Sequence, residues 1–350
     1  MKKIDLSGTW HLLYKGCAYE AHVPGTAADA LLANGLMPDP YMKDNEYLCA
    51  EILDNDFTFE RHFIVEKQSL DEDRIELVCE GLDTITEVYV NGNSAGKANN
   101  MHRTWRFDVK ALLHEGENHI KICFTSPLRY LREHPAKTGK AFSVIRKASC
   151  MFGWDWGLKL PDSGIWRDIY IESYSLARIG KTVIHQEHSD GKVALTVFAG
   201  ADHLNKKKCI VKMTLLDPEG RVCALTSGSP FAPMTVVIDN PAFWWPVGYG
   251  TQPLYTLKLE LYQDGIPADK TIKKIGFRSI KLDRSEAPDP YTADGMGRKY
   301  SFIVNGRPIF IRGENMIIGD AFISRTCKKR YSRLIDNALK SNLNCIRVWG

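Results

Sequence analysis

The stretch Thr86-Glu87-Val88-Tyr89-Val90-Asn91-Gly92 decides how the first half of this chain is read. Val88 and Val90 alternate with Glu87 and Tyr89, the two-residue period of a strand with one buried face. The strand runs straight into Asn-Gly, a pair that tolerates positive φ at both positions and so closes a two-residue hairpin. Working outward, Ile75–Cys79 alternates in the same way, and strands are expected at Phe57–Val65, His119–Phe124 and Asp168–Ser173. One short helix interrupts them, with Thr26 as cap, Asp29 three residues on, Leu31 and Leu32 facing inward and Gly35 at its end. A strand-rich stretch of about 175 residues with such turns predicts a double-sheet jelly roll.

From about residue 178 the strands come at smaller spacing. Val193–Val197 and Cys209–Leu216 lead into Asp217-Pro218-Glu219-Gly220, whose Pro and Gly positions suit a type I turn. Val222–Ala224, Leu254–Leu261 and Thr271–Ile275 then complete roughly one hundred residues, as in an immunoglobulin-like sandwich. After about residue 280 the pattern shifts again. Tyr300–Val304, Asn305-Gly306 and Pro308–Arg312 repeat the hairpin chemistry. A helix is expected from about Lys328, with Tyr331, Leu334, Ile335, Ala338 and Leu339 in one apolar stripe, followed by the strand Cys345–Trp349. Strand, helix and strand of this size make a βαβ unit.

Composition excludes several classes. Forty-six basic against 42 acidic residues leave a net charge of +4, and the basic residues are dispersed apart from Lys206-Lys207-Lys208. That triplet reads as a solvated loop, and no nucleic-acid partner is expected. No run approaches the ~18 apolar residues of a membrane span. Met1-Lys2-Lys3 is followed by no apolar signal-peptide core. The nine cysteines lack ligand spacing and read as buried free thiols of a reducing compartment, so the expectation is a cytoplasmic protein without a metal.

The segment Phe152-Gly153-Trp154-Asp155-Trp156-Gly157, with Ser163-Gly164-Ile165-Trp166-Arg167-Asp168 after it, places three tryptophans close together, with one lone carboxylate, Asp155, between two of them. Aromatic faces stack on the C–H side of a sugar ring, and a carboxylate accepts hydrogen bonds from two hydroxyls at once, which is how a small pocket holds a pyranose. The same residues also fit a sandwich core in which Asp155 caps a turn.

Other pieces stand in a recognisable order. They are Leu6–Trp10, Val23–Thr26, Val90-Asn91-Gly92, Gly153–Gly157, Ser163–Arg167, Trp244–Gly250 with Gln252–Tyr255, Gly276-Phe277-Arg278, Val304-Asn305-Gly306 to Gly313, and Arg347–Gly350. Taken together they resemble family 2 glycoside hydrolases, the β-mannosidase branch best, over essentially the whole chain. The resemblance implies a mostly β fold. Residues 1–176 would be a jelly-roll, galactose-binding-like sandwich and 177–280 an immunoglobulin-like sandwich. Residues 281–350 would be the first βαβ unit of an incomplete (β/α)8 barrel. It also implies the amino-terminal portion of a retaining, exo-acting β-mannosidase that takes terminal mannose from oligosaccharides with no metal or organic cofactor.

Retaining glycosidases cleave with two carboxyl groups about 5–5.5 Å apart. In this family both are glutamates on later barrel strands, and neither has a counterpart among residues 1–350. No catalytic residue is therefore expected here, and the 350-residue chain is expected to be inactive. Glu314 and Asp320 would line a loop or cap a helix. By resemblance Asp155 binds hydroxyls of the terminal mannose and Trp154 borders it. Trp349 would be a sugar platform, and Arg347 would contact substrate or support a catalytic carboxylate. Trp156 and Trp166 are expected between the sheets, and Trp244, Trp245 and Tyr249 at a domain interface. Asn99–Arg103 and Arg146-Lys147 carry no assignable role. Asn315 keeps the family pattern, but Met316 stands where the family has tryptophan, which leaves finer sugar preference open.

Two other readings stay open. One keeps the family but changes the sugar to galactose, glucuronic acid or glucosamine, and the other is a non-catalytic carbohydrate-binding module. Residues 300–350 are expected to be the least stable part, either poorly ordered or leaning on the immunoglobulin-like domain or a neighbouring molecule, because two strands and a helix cannot cover both faces of a parallel pair.

Overall fold

Alternation along Phe57–Val65 puts Phe57, Phe59, Phe63 and Val65 on one buried face. This strand lies inside a six-stranded antiparallel sheet ordered Cys17–Val23, Gly8–Tyr14, Phe57–Val65, Gly116–Phe124, Thr86–Val90, Asn93–Ala98. A four-stranded sheet, Lys2–Asp5, Ile169–Tyr174, Arg74–Cys79 and Trp105–Asp108, supplies the other half of the core. Trp10, Phe59, Phe124, Ile75, Leu77 and Ile171 pack into one cluster between them. This is the expected jelly-roll sandwich, seen in a computed structural model that describes residues 2–203, 207–289, 291–293 and 295–349. Lys206 of the lysine triplet and Gly350 of the last motif lie outside the described residues.

The Asn-Gly turn forms as read, with Asn91 at φ 50° and Gly92 at φ 78°. The Asn91 side chain also donates to Leu112 O at 2.8 Å and accepts from His119 N at 2.8 Å, so it ties the hairpin to the next strand. Helix α1 is Ala27–Ala33, with Thr26 accepting from Asp29 N at 3.3 Å and Leu31 buried. The single-helix expectation is corrected by α2 (Asn45–Leu53), α3 (Lys67–Leu70) and α4 (Pro127–Glu133). Helix α2 buries only Cys49 and Leu53, too few positions for a legible period. Helix α4 starts at the cap Ser126 with Pro127 in its first turn, a start signal that a strand-only reading passes over.

The chain forms two compact units, and the first takes in residues 317–333 as well as the jelly roll. Phe322 is wholly buried within the jelly-roll core. Arg325 Nε donates to Asp29 at 2.9 Å, and Ser324 also donates to that carboxylate. The expected support from the immunoglobulin-like domain or a neighbouring molecule is therefore corrected for this segment: its apolar residue fills a hole in the first sandwich. Phe322→Ala should destabilise the first unit by about 3–5 kcal/mol, the usual cost of emptying a core aromatic site. Urea unfolding followed by a probe in that unit checks this.

The second unit is built on two sheets. Arg178–Ser189, Lys192–Asp202 and Pro233–Asp239 form one, and Val222–Gly228, Cys209–Leu216, Tyr255–Gln263 and Ile266–Ile275 the other. The inward positions of their alternating strands, among them Leu195, Val211, Met213, Leu257 and Leu259, fill the space between the sheets. Three facing four strands is the immunoglobulin-like arrangement. At the predicted turn Gly220 N donates to Asp217 O at 3.0 Å and Gly220 takes φ 87°. The same unit holds the hairpin Ser301–Val304/Arg307–Ile309, turned through Asn305 at φ 49° and Gly306 at φ 79°. Asn305 Nδ2 donates to Trp244 O at 3.0 Å, and Phe310 N donates to the Tyr249 hydroxyl at 2.8 Å. Gly313–Met316 and Cys345–Val348 pair in parallel, and the chain between them contains α5 (Lys328–Lys340). The predicted stripe on α5 is not a buried one, since no residue of the helix is buried.

All nine cysteines are free, but Cys17, Cys223 and Cys327 are exposed, which corrects the expectation that they are buried. Among the described residues no helix is long and apolar enough to cross a membrane.

Candidate functional site

The Trp154–Gly157 segment is a two-residue turn outside both sheets of the sandwich. Phe152–Trp154 pairs with Gly157–Lys159 as an isolated hairpin, with Gly153 at φ 94°, and Asp155 and Trp156 form its tip. A tip projects side chains, whereas a sheet strand would bury every second one. The hairpin borders a cleft of about 630 Å³, lined by Tyr41, Trp154, Asp155, Trp156, Asp320 and Arg330 among others. All belong to the first unit.

Asp155 is exposed at this cleft, and its carboxylate has no hydrogen-bond or ion-pair partner among the described residues. Trp154 is 40 % exposed. Trp349 meets it edge-on at 5.3 Å and meets Trp156 edge-on at 5.6 Å. The expectation that Trp156 packs between the sheets is thus corrected, because the hairpin carries it to the cleft. Trp166 is half-buried, donates to Met101 O at 3.2 Å and lies under the Arg167 guanidinium at 4.0 Å, outside the inter-sheet core. The Lys140 ammonium sits 4.4 Å over Trp154. A sugar ring using that face must displace the lysine.

Of the four residues read as substrate contacts, the structure brings Trp154, Asp155 and Trp349 together. Arg347 belongs to the second unit, where it donates to Asn315 Oδ1 at 3.1 Å and lines a groove with Ile311, Glu314 and Cys345. Asp320 is committed locally: it accepts from the Tyr41 hydroxyl at 2.8 Å, from Phe322 N at 3.1 Å and from Arg330 at 3.2 Å. Tyr41 and Arg330 were absent from the sequence reading. Tyr41 and Asp320 are 279 residues apart, and no local pattern marks either as a partner of the other.

Arg146-Lys147, left without a role by the sequence, contains a buried charge of the first unit. Lys147 is ion-paired with Asp83, both side chains being 0 % exposed, and donates to Asp162 O at 2.7 Å. Asp162 Oδ1 accepts from Ala28 N at 3.0 Å and Ser163 N at 2.7 Å, while its Oδ2 is buried without a partner. Burial pushes the Asp162 carboxyl up to about 7, outweighing those hydrogen bonds and the nearby ammonium. The group braces the first turn of α1 and does not reach the cleft lining.

Residues 7–167 match the galactose-binding domain-like module of glycosyl hydrolase 2, and residues 177–278 match glycosyl hydrolases family 2. The chain belongs to that family. Among its relatives are β-mannosidases: the rat enzyme is 28 % identical over 99 % of this chain and 42 % of its own. β-Mannosidase B of Emericella nidulans is 30 % identical over 94 % of this chain and 40 % of its own. The crystal structure of the β-D-mannosidase from Dictyoglomus thermophilum superposes with a TM-score of 0.92 at 30 % identity, covering 100 % of this chain and 44 % of that one. The chain thus spans about two fifths of the length of the curated relatives it matches.

Proposed function

We propose that the protein to which this chain belongs is a retaining, exo-acting β-mannosidase, and that these residues form one wall of its sugar pocket. The observation that carries the reading is the uncommitted carboxylate of Asp155 on a hairpin tip between two tryptophans, facing a cleft of sugar size. A carboxylate with no protein partner is free to accept from two hydroxyls of one ring, and the indoles offer apolar walls. Trp349, packed against both indoles, is the third aromatic of that wall. Arg347 is assigned to the support of a catalytic carboxylate. Residues 281–350 are read as the opening of a (β/α)8 barrel, in which substrate contacts gather at the carboxyl ends of the strands. Nine free thiols fit a reducing compartment.

The complete protein, assayed on nitrophenyl β-mannoside, β-galactoside, β-glucuronide and β-glucosaminide, should turn over the mannoside best. Preference for another of these sugars would replace the substrate, and no turnover of any would favour a binding module. The 350-residue chain by itself should cleave none of them. Among the described residues the cleft's carboxylates are Asp155, placed for hydroxyls, and Asp320, engaged by three donors, so these residues offer no acid/base and nucleophile pair to a glycosidic bond there. Turnover by the purified chain, free of host enzyme, would refute this.

A further inference from the structure

We propose that Arg330 is a specificity-determining contact of the cleft, donating hydrogen bonds to hydroxyls of the neutral sugar that Asp155 also holds; this rests on the reading of the cleft as a sugar pocket. Arg330 and Asp155 line the same cleft. The arginine side chain is 47 % exposed, and among the described residues a single one of its side-chain nitrogens is engaged, Nη1 with Asp320 at 3.2 Å. A guanidinium carries five N–H donors and no acceptor, so donors beyond the one held by Asp320 remain for a ligand. Asp155 is the converse, an acceptor with no hydrogen-bond or ion-pair partner among the described residues. A sugar hydroxyl both donates and accepts, and a cleft offering both acceptors and donors can satisfy a ring of hydroxyls that neither could alone.

The arginine is also held in place, as a recognition group must be. Its Nε would lie 3.1 Å from a Cβ placed on Gly319, so the side chain lies close along that glycine's backbone. Asp320, whose side chain is 11 % exposed, fixes the fork from behind. Tyr41 fixes Asp320 in turn, its hydroxyl donating to the carboxylate at 2.8 Å and accepting from Ala321 N at 2.9 Å. Burial holds the Tyr41 phenol above its ordinary pKa, so it stays a donor at neutral pH. Arg330 is thereby a contact residue, while Asp320 and Tyr41 are positioning residues.

The test uses the complete protein with Arg330→Gln, Arg330→Lys and Tyr41→Phe. Arg330→Gln should lower kcat/KM for nitrophenyl β-mannoside about 10- to 100-fold, the range of one or two charge-assisted hydrogen bonds, mainly through KM. Arg330→Lys should recover part of the loss. Tyr41→Phe, which keeps the arginine but unpins Asp320, should lose about 3- to 10-fold. A variant set that lowers Tm but leaves kcat and KM unchanged would overturn the proposal, leaving Arg330 as a clamp between loop and helix. Wild-type preference for the glucuronide that Arg330→Gln abolishes would overturn the assignment to a neutral sugar. If the wild type cleaves no mannoside, the parent reading fails. Quenching of tryptophan fluorescence by mannose, compared between wild type and Arg330→Gln, then still decides the contact: equal quenching, or none in either, overturns it, and weaker quenching in the variant supports it.

Discussion

Asp155→Ala in the complete protein should lower kcat/KM for β-mannosides by about 10²–10⁴-fold, with the fold intact. The carboxylate is exposed on a hairpin tip and has no partner among the described residues, so truncation leaves none of their buried groups unsatisfied and surface changes of this kind are near neutral for stability. Two hydroxyl hydrogen bonds to a charged acceptor contribute roughly 1.5–3 kcal/mol each, and about 1.36 kcal/mol is tenfold in rate. Steady-state kinetics together with thermal unfolding separate the two outcomes. A loss of folded protein with unchanged kinetics in the remainder would make Asp155 a structural cap and return the hairpin to a packing role.

Lys147→Met should do the opposite, destabilising the first unit by about 3–5 kcal/mol while leaving the cleft residues in place. Removing the ammonium strands the Asp83 carboxylate at 0 % exposure, and breaking a buried pair from one side has about that cost. The same group makes stability depend on pH. With one ammonium for two buried carboxyls, a neutral Asp162 balances the charge, consistent with its position near 7. The folded state then keeps a proton that the unfolded chain releases above the ordinary carboxylate range. The contribution of Asp162 to stability is therefore greatest below about pH 4, falls as pH rises towards 7 and levels off beyond it. Asp162→Asn keeps an acceptor for Ala28 N and Ser163 N and should flatten that slope. Urea unfolding of both proteins between about pH 4 and 8 measures the difference.

The strands were legible because their information is local. Phe57–Val65 and Thr86–Val90 coincide with the observed elements, since alternation and an Asn-Gly turn need no knowledge of the partner strand. The pairing of Trp154 with Asp155 was legible for a similar reason: the two are neighbours, and their juxtaposition survives any tertiary arrangement, whereas the hairpin that carries them was not read. What could not be read depends on distant meetings. Lys147 is one lysine in a loop, and only the arrival of Asp83 and Asp162 around it gives it a role. The Tyr41–Asp320–Arg330 side of the cleft joins residues that share no local period. Trp156 was misplaced because tryptophan in a β-rich stretch reads as core, whereas a tight turn carries it outward.

The place of Phe322 in the jelly-roll core has a consequence for biosynthesis. The jelly roll's own strands end at Tyr174, yet Ser324 reaches Asp29 across 295 residues of chain. At about 5–20 residues per second, a ribosome needs on the order of ten seconds or more after Tyr174 before Phe322 emerges. During that interval the sandwich waits with an apolar hole, while the immunoglobulin-like strands complete their own core. The nascent first domain is thus closed by a residue made after the second, and contacts of such separation form slowly. A chain cut anywhere between residues 176 and 316 would leave that hole open to solvent and to other apolar segments. The order in which the domains are translated is therefore not the order in which they are finished.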